Sequence, residues 1–241
     1  MLKSIFQGLT ELIYPKACLL CKEKITNSCD LICKDCLVKI NPNLPPFCQR
    51  CGRRLNKNEL INGKNICFKC HRINFHFDRA WSSCIYEGAI KDLIHQFKYN
   101  SKKSLEKPLS KLLLEFINNY HLPKDVIDIV VPMPLHTKKL REREFNQSEV
   151  LAKSVSDALN RKISVNNLIR LKDTPSQTQL DDQMRWQNVQ GAFSVKDPSE
   201  FKNKVVLLID DVLTTGATAS EAALALKKSN ANVVFVLTLA G

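Results

Sequence analysis

Two adjacent aspartates, Asp210 and Asp211, follow an apolar run and precede a turn rich in threonine. Carboxylates at a strand end accept hydrogen bonds from vicinal sugar hydroxyls, whereas a turn that serves only solubility needs a single charge. The turn then opens a helix, whose first N–H groups and neighbouring hydroxyls favour a phosphate. We therefore expect a site for a 5-phosphorylated ribose. Its turn residues are Thr214, Thr215, Gly216, Ala217 and Thr218.

Eight of the ten cysteines form four C-x-x-C pairs within residues 18–70. Two residues between thiolates let one turn aim both sulfurs at a tetrahedral metal, and a second such turn completes the shell. Four pairs therefore predict two zinc sites that are structural, because cysteine fills all four positions of each. The expected ligands are Cys18, Cys21, Cys33, Cys36, Cys48, Cys51, Cys67 and Cys70.

The spacing leaves open how these pairs are divided between two metals. Neighbouring pairs leave loops of 11 and 15 residues, which suit a ribbon, and an interleaved cross-brace is the alternative. A disulfide framework is disfavoured, because we expect no export signal and a chain kept inside the cell keeps its thiols reduced. We expect Cys29 and Cys84 to be free thiols and His71 to be a surface residue.

Apolar runs alternate with amphipathic segments after residue 80, which predicts an α/β fold with a parallel sheet covered on both faces by helices. The predicted strands are 80–86, 126–131, 205–209 and 233–239. The predicted helices are 90–97, 105–120, 147–159 and 217–228. Ligands of such sheets bind beyond the carboxyl ends of the strands, where Asp210 and Asp211 stand.

The composition is that of a soluble protein, with 44% hydrophobic residues and a net charge of +12. Residues 1–80 contain 14 basic and 6 acidic side chains, so a third of the chain holds two thirds of the positive excess. This excess indicates a polyanion partner, most simply nucleic acid, although two tetrathiolate zinc sites would halve it. No apolar run reaches the ~20 residues of a membrane span, and we expect a cytoplasmic location.

Apolar residues at helical spacing predict an amphipathic helix over residues 1–16. We expect its apolar stripe to dock on the protein itself, with a partner or membrane surface as the alternative. The predicted organisation continues with a double zinc ribbon over 17–79 and an α/β domain over 80–241. Neither G-x-G-x-x-G after a strand nor G-x-x-x-x-G-K-[ST] is present, which disfavours dinucleotide and P-loop chemistry.

The segment VVLLIDDVLTTGAT at 205–218 resembles the phosphoribosyl pyrophosphate motif of type I phosphoribosyltransferases. With the four C-x-x-C pairs, three further segments resemble the ComF family of competence proteins over nearly the whole chain. They are IHQFKY at 94–99, VVPMPLHTKKLREREFNQ at 130–147 and RLKDTPSQTQL…RWQNVQGAF at 170–193. The resemblance implies a zinc ribbon before a type I phosphoribosyltransferase-like domain and a link to DNA uptake in natural transformation.

The resemblance also implies roles for individual residues. Asp210 and Asp211 would bind the ribose 2′ and 3′ hydroxyls, and residues 214–218 would bind the 5-phosphate of phosphoribosyl pyrophosphate. A Mg²⁺ ion would join the pyrophosphate to the sugar and depend on the ligand, as suits a cation that keeps waters and uses substrate oxygens.

The pyrophosphate loop implied by the resemblance is 134–137, with Leu135 and His136. Basic residues follow it, and we favour Arg143 for phosphate because arginine binds with two parallel hydrogen bonds. The other candidates are Lys138, Lys139 and Arg141. Residues 172–178 match the flap that excludes water over the sugar. The polar positions that follow this flap are Gln179, Arg185 and Asn188.

Two positions depart from the related families. Glu144 stands where ComF proteins usually have glycine, which alters a local turn and adds a negative charge near the pyrophosphate loop. We expect its side chain to face solvent. Thr214 stands where purine-salvage relatives have a third aspartate, so no carboxylate serves proton transfer to a purine nitrogen. Purine salvage is therefore disfavoured.

The residues and the resemblance together are compatible with three functions. We favour a competence protein that binds phosphoribosyl pyrophosphate with Mg²⁺ and handles incoming single-stranded DNA, with competence helicase or DNA-processing proteins as partners that the resemblance implies. The alternative is an active phosphoribosyltransferase that acts on an unidentified acceptor base. A nucleotide-sensing regulator of the purine-repressor type is less supported, since no helix-turn-helix is evident.

Overall fold

The structure of the chain is a computed structural model, and it describes residues 17–25, 31–56, 65–99, 103–120, 122–174 and 182–241. Several predicted features lie outside these residues. They are the N-terminal helix over 1–16, Cys29, Gln179 and the part of the flap after Thr174.

Seven strands of the described chain form two sheets. They are β1 (Arg79–Cys84), β2 (Ile129–Pro132), β3 (Lys162–Ile163), β4 (Leu168–Arg170), β5 (Phe193–Val195), β6 (Val205–Val212) and β7 (Val233–Ala240). Five of them make a parallel sheet in the order β1-β7-β6-β2-β3, and β4 pairs with β5 in a separate antiparallel sheet. Because β6 lies between β7 and β2, Asp210 stands at the carboxyl end of a central strand, opposite Thr238.

Two short helices belong to the cysteine-rich part of the chain, α1 (Lys34–Leu37) and α2 (Phe68–Arg72). The helices around the sheets are α3 (Gly88–Tyr99), α4 (Glu106–Asn119), α5 (Thr137–Arg143), α6 (Gln147–Leu159), α7 (Asp182–Val189) and α8 (Ala217–Lys228). Among the described residues, no helix has both the length and the apolar character that crossing a membrane requires.

The parallel sheet separates two hydrophobic cores. Successive side chains of β6 point to opposite faces, so Leu207 and Ile209 enter one core while Val206 and Leu208 enter the other. Helices α3, α4 and α6 cover the first face, and α8 with the β4–β5 pair covers the second. The predicted α/β fold, a parallel sheet flanked by helices and preceded by a cysteine-rich module, is confirmed.

The predicted helices 147–159 and 217–228 coincide with α6 and α8. The predicted strand 126–131 is wrong at its start, because residues Lys124–Val126 form a 3-10 turn and β2 begins at Ile129. Asp128 holds this junction, since its carboxylate accepts a hydrogen bond from the backbone N–H of Val205 at 2.8 Å. Helix α5 was not predicted, because its basic sequence carries no apolar stripe.

The cysteine-rich module docks on the amino-terminal part of the α/β domain through a buried asparagine. The Asn43 side chain donates to the carbonyls of Gly52 at 2.9 Å and Ser82 at 3.0 Å, and its backbone N–H donates to Ser83 at 2.9 Å. Buried polar groups of this kind are costly unless paired, so these bonds specify how the module sits on β1. The division of the chain between residues 79 and 80 stays a prediction.

Candidate functional site

A cleft of about 360 Å³ opens at the carboxyl ends of β2 and β6. Among the described residues, six cationic side chains and two carboxylates line it. They are Lys91, Lys98, Lys139, Arg143, Arg170 and Arg185, with Asp210 and Asp211. The cleft therefore has a strong positive excess at one end of the sheet, where the strands of an open parallel sheet place a ligand.

Asp210 and Asp211 are among the last three residues of β6 and do not follow the strand, and both line the cleft. The Asp210 carboxylate accepts hydrogen bonds from the Ser148 hydroxyl at 3.0 Å and from the backbone N–H of Asp211 at 2.9 Å. Burial raises the pKa of Asp210 to about 7, and the neighbouring charge of Asp211 adds to this effect. The two acids thus form one coupled pair.

Lys98 on α3 forms an ion pair with Asp211, with 2.8 Å between Nζ and Oδ1. Burial lowers the pKa of Lys98, but the charge and the hydrogen bond of Asp211 outweigh burial and raise the pKa overall. No role was predicted for this lysine from the sequence. Lys98 lies in the segment 94–99, which resembles the ComF family, but the resemblance implied no role for any residue of that segment.

The turn after β6 holds the start of α8. The Thr215 hydroxyl accepts a hydrogen bond from the backbone N–H of Ala217 at 3.3 Å, and Gly216 adopts a left-handed conformation with φ of +83°. Thr214 and Thr218 line the cleft, whereas Thr215, Gly216 and Ala217 are buried in the turn. The turn can therefore contribute two hydroxyls to a ligand at a helix N-terminus.

The predicted pyrophosphate loop follows β2 and leads into α5. Leu135 lines the cleft, and the Asn146 side chain holds the loop by donating to the carbonyl of Met133 at 3.0 Å. His136 does not line the cleft. Its Nδ1 atom caps α5 by accepting from the backbone N–H of Lys138 at 3.4 Å, and it lies 3.7 Å from the Asp173 carboxylate.

Three further cations, Lys139, Arg143 and Arg170, line the same cleft as the acid pair. Arg143 donates to the Gln147 side chain at 3.2 Å and lies over the ring of Tyr99, 5.2 Å from its centroid. Burial, followed by the charges of Arg170 and Arg143, lowers the pKa of Lys139. Burial also lowers the pKa of Arg170. Cations that destabilise one another in this way gain from binding an anion.

The start of the predicted flap is tied to the pyrophosphate loop. Lys139 Nζ donates to the backbone carbonyl of Thr174 at 2.7 Å, and the Thr174 hydroxyl accepts from Arg170. Beyond the undescribed residues, Arg185 on α7 lines the cleft and Asn188 does not. Glu144 is exposed and adopts φ of +66°, so the charge that replaces the family glycine faces solvent as predicted.

Eight of the nine described cysteines form two groups of four, each with its sulfur atoms within 4.8 Å of one another. The groups are Cys18, Cys21, Cys33 and Cys36, and Cys48, Cys51, Cys67 and Cys70. Neighbouring C-x-x-C pairs therefore share a site, and the interleaved alternative is wrong. Four convergent thiols with no other ligand position fit structural zinc.

Two backbone N–H groups support this fit by pointing at sulfur, from Cys33 to Cys18 at 3.4 Å and from Cys67 to Cys48 at 3.3 Å. Cys84 belongs to neither group and lies buried in the core, where burial raises its pKa to about 11. His71 is exposed and outside both groups, so both predictions are confirmed.

Comparison with known proteins agrees with this architecture. A family model described as a double zinc ribbon domain matches residues 9–71. Competence protein F of Haemophilus influenzae is 27% identical over 227 residues, which cover 92% of this chain and 96% of that protein. The chain therefore has a homologue named as a competence protein that it matches over nearly its whole length. Competence protein ComFC of Bacillus subtilis is 23% identical and covers 94% of this chain and 95% of its own.

The DNA utilization protein YhgH of Escherichia coli K12 is also 27% identical, over 95% of this chain and 98% of that protein. Among solved structures, the allosteric regulatory enzyme of purine biosynthesis covers 59% of this chain with a TM-score of 0.39 and 20% identity, over 29% of its own length. A hypoxanthine phosphoribosyltransferase from Staphylococcus aureus covers 55% with a TM-score of 0.33 and 18% identity, over 62% of its length.

Proposed function

We propose that the cleft binds phosphoribosyl pyrophosphate with Mg²⁺ and that the protein serves DNA handling in competence. The observation that carries the first part is the meeting of an acid pair, a threonine turn and six cations in one cleft. Sugar hydroxyls need acceptors, and phosphates need donors and positive charge. The cleft offers both at the carboxyl end of the sheet.

Each part of the ligand has a proposed subsite. Asp210 and Asp211 accept from the ribose hydroxyls, and residues 214–218 hold the 5-phosphate at the start of α8. Leu135, His136 and Arg143 belong to the pyrophosphate side, and His136 contributes through the loop and helix that it caps. Lys139 and Arg170 add positive charge on that side.

The donor set also fits a magnesium ion. Asp210 offers a carboxylate oxygen that is not engaged by Lys98, and Mg²⁺ prefers one or two carboxylates together with substrate oxygens and waters. When bound, Mg²⁺ would neutralise charge on the pyrophosphate. The remaining work of orienting the ribose and excluding water falls to Asp211, Ser148 and the loop residues.

Support for DNA handling comes from the relatives and from one surface. The relatives bear the names competence protein and DNA utilization protein. Phe68 on α2 is 57% exposed, and the Arg72 guanidinium lies 4.3 Å from its ring centroid. Exposed aromatic rings beside basic side chains are the platforms on which bases of single strands stack. We therefore propose single-stranded DNA as a partner of the zinc module, with helicase partners expected from the family.

A second candidate function is transfer of the phosphoribosyl group to an acceptor base. It is favoured by the complete acid pair and turn. Displacement of pyrophosphate would pass through an oxocarbenium-like state, which the cleft would stabilise by holding the departing charge on its cations. Thr214 cannot act as a general base, so the acceptor would have to be nucleophilic without losing a proton to this position.

Calorimetry with phosphoribosyl pyrophosphate and Mg²⁺ tests the proposed ligand. We expect micromolar binding by the native chain and loss of binding in Asp210→Asn/Asp211→Asn. The matched control is Glu149→Gln, which removes an exposed carboxylate one residue from Ser148. Absence of binding heat with the native chain would refute the ligand and leave DNA binding by the zinc module as the function to test.

Fluorescence anisotropy with a labelled single strand tests the second partner. We expect Phe68→Ala/Arg72→Ala to weaken binding ~10-fold or more, since stacking contributes about 1–3 kcal/mol per base. Leu140→Ala replaces another exposed apolar residue, on α5, and should bind DNA as the native chain does. Equal affinity of all three proteins would refute the proposed platform.

A further inference from the structure

The segment 94–99 resembles the ComF family, and the structure shows which of its side chains enter the core and which line the cleft. It forms the last turns of α3, with Ile94 and Phe97 fully buried in the core. Gln96 donates to the carbonyl of Leu19 in the cysteine-rich module at 3.1 Å. The two residues that follow Phe97 line the cleft. These contacts of α3 with the core and with the cysteine-rich module therefore fix the position of Lys98 at the cleft.

Lys98 meets the acid pair from the helix side of the cleft. The Lys98 and Asp211 side chains are 19% and 10% exposed, and the 2.8 Å separation is that of a direct charged hydrogen bond. Asp210 turns instead to Ser148. Asp211 is thus paired directly with a cation, whereas the hydrogen bonds that the Asp210 carboxylate accepts in the described chain come from neutral donors.

Such a cation changes the electrostatic free energy with which the site binds a ligand that carries several phosphates. Although the cleft as a whole is positive, a carboxylate that lies next to a bound phosphate repels it, and a divalent cation bound with the ligand is one way to offset this local repulsion. An internal ammonium removes part of the repulsion before the ligand arrives, at no cost in association entropy. It also keeps Asp211 as an acceptor for a sugar hydroxyl.

We propose that Lys98 is the built-in cation of the ribose subsite, a positioning residue that orients the Asp211 carboxylate through their ion pair and makes ligand binding only weakly dependent on Mg²⁺. This role rests on the proposed function, because it concerns how the same cleft receives phosphoribosyl pyrophosphate. In the described part of the chain Lys98 makes its ion pair with Asp211, and the nearby charge of Asp210 also raises the pKa of Lys98. We expect the effect of Lys98 to pass through the Asp211 carboxylate.

The first experiment uses the native chain. Its dissociation constant for phosphoribosyl pyrophosphate is measured by calorimetry with Mg²⁺ and again with EDTA after the structural zinc content has been verified as unchanged. We expect the constant in EDTA to lie within ~10-fold of the constant with Mg²⁺. A loss of ~100-fold or more in EDTA would overturn the proposal while leaving the proposed function intact. No binding in either condition would overturn both.

The second experiment compares variants by the ratio of the two dissociation constants. Lys98→Met should raise the ratio ~10-fold or more, because Mg²⁺ then has to supply the missing charge. Lys98→Arg should keep the native ratio. Lys91→Met removes a cation from the same helix and the same cleft, and we expect it to weaken binding equally in both conditions. An unchanged ratio in Lys98→Met would overturn the proposal.

A double variant guards against misfolding, since an unpaired buried carboxylate destabilises a fold. In the Asp211→Asn background the carboxylate is gone, and Lys98→Met should leave the ratio of constants unchanged. If Lys98→Met raised the ratio equally in both backgrounds, the cation would act on the ligand directly and the positioning role would be refuted. Thermal unfolding of each variant checks that the compared proteins are folded.

Discussion

Phe75 of the cysteine-rich module packs against Gly216 in the turn at the start of α8. A Cβ atom added at Gly216 would lie 2.5 Å from Cε1 of Phe75. The Phe75 ring also stacks on Phe77, with 4.7 Å between centroids, and lies 5.8 Å from Trp186 on α7. The zinc module thus buttresses the turn for which we propose 5-phosphate binding.

Replacement of Gly216 by alanine tests this packing. Gly216→Ala combines a left-handed backbone, which costs roughly 1–2 kcal/mol for an L-residue, with a clash that costs about 1–3 kcal/mol. We expect a loss of about 3 kcal/mol in the free energy of unfolding and loss of phosphoribosyl pyrophosphate binding. The matched control is Gly88→Ala, because Gly88 also has positive φ but its Cβ would meet nothing within 4 Å. Equal losses in both variants would contradict the role of Phe75.

Metal content should follow the two cysteine groups. We expect the native chain to bind two zinc ions, Cys67→Ser about one, and Cys84→Ser two, because Cys84 belongs to neither group. Elemental analysis of purified protein measures this. Since zinc binding and folding of such a module are linked, Cys67→Ser should also weaken ligand binding in the cleft through Phe75. Two zinc ions in Cys67→Ser would refute the ligand set.

Glu144 carries local strain that the family glycine would relieve. Its φ of +66° is a conformation that glycine adopts freely, and the side chain is exposed. We expect Glu144→Gly to raise the free energy of unfolding by about 0.5–1 kcal/mol, after the entropy that glycine adds to the unfolded chain. Glu144→Ala removes the same charge and keeps the strain, so urea unfolding should show no gain. A gain of equal size in both would assign the effect to charge.

Asp210 should make stability depend on pH. Its pKa is raised from 3.8 to about 7, so the folded state binds more protons than the unfolded state between these values. Stability from this group is therefore present at pH 4 and is lost as the pH rises through 7. Between pH 5 and pH 8 the native chain should lose on the order of 2 kcal/mol more than Asp210→Asn.

Urea unfolding of the two proteins at both pH values measures that difference. Glu149→Gln, which removes an exposed carboxylate outside the cleft, should keep the native pH dependence. If Asp210→Asn showed the native slope instead, another group would be responsible for it.

Local spacing was enough for several features of this protein. The C-x-x-C pairs predicted the eight cysteines that the structure gathers into two groups of four, because two residues between thiolates is a property of a single turn. The segments that form β6 and α8 were predicted with their acids and threonines at the junction. Hydrophobic periodicity and turn residues are also local features of a sequence. Short elements such as α5 and β3 were missed, since they lack enough residues to show a period.

Tertiary structure alone decided which distant residues meet. Lys98 reaches Asp211 because α3 packs on one face of the sheet that contains β6, although the two residues are 113 positions apart, and no local pattern encodes that contact. The partition of the cysteines into two sites and the packing of Phe75 on Gly216 were decided in the same way. Sequence spacing determines what a turn, strand or helix can offer chemically. Only packing between elements determines which of these groups share a cleft.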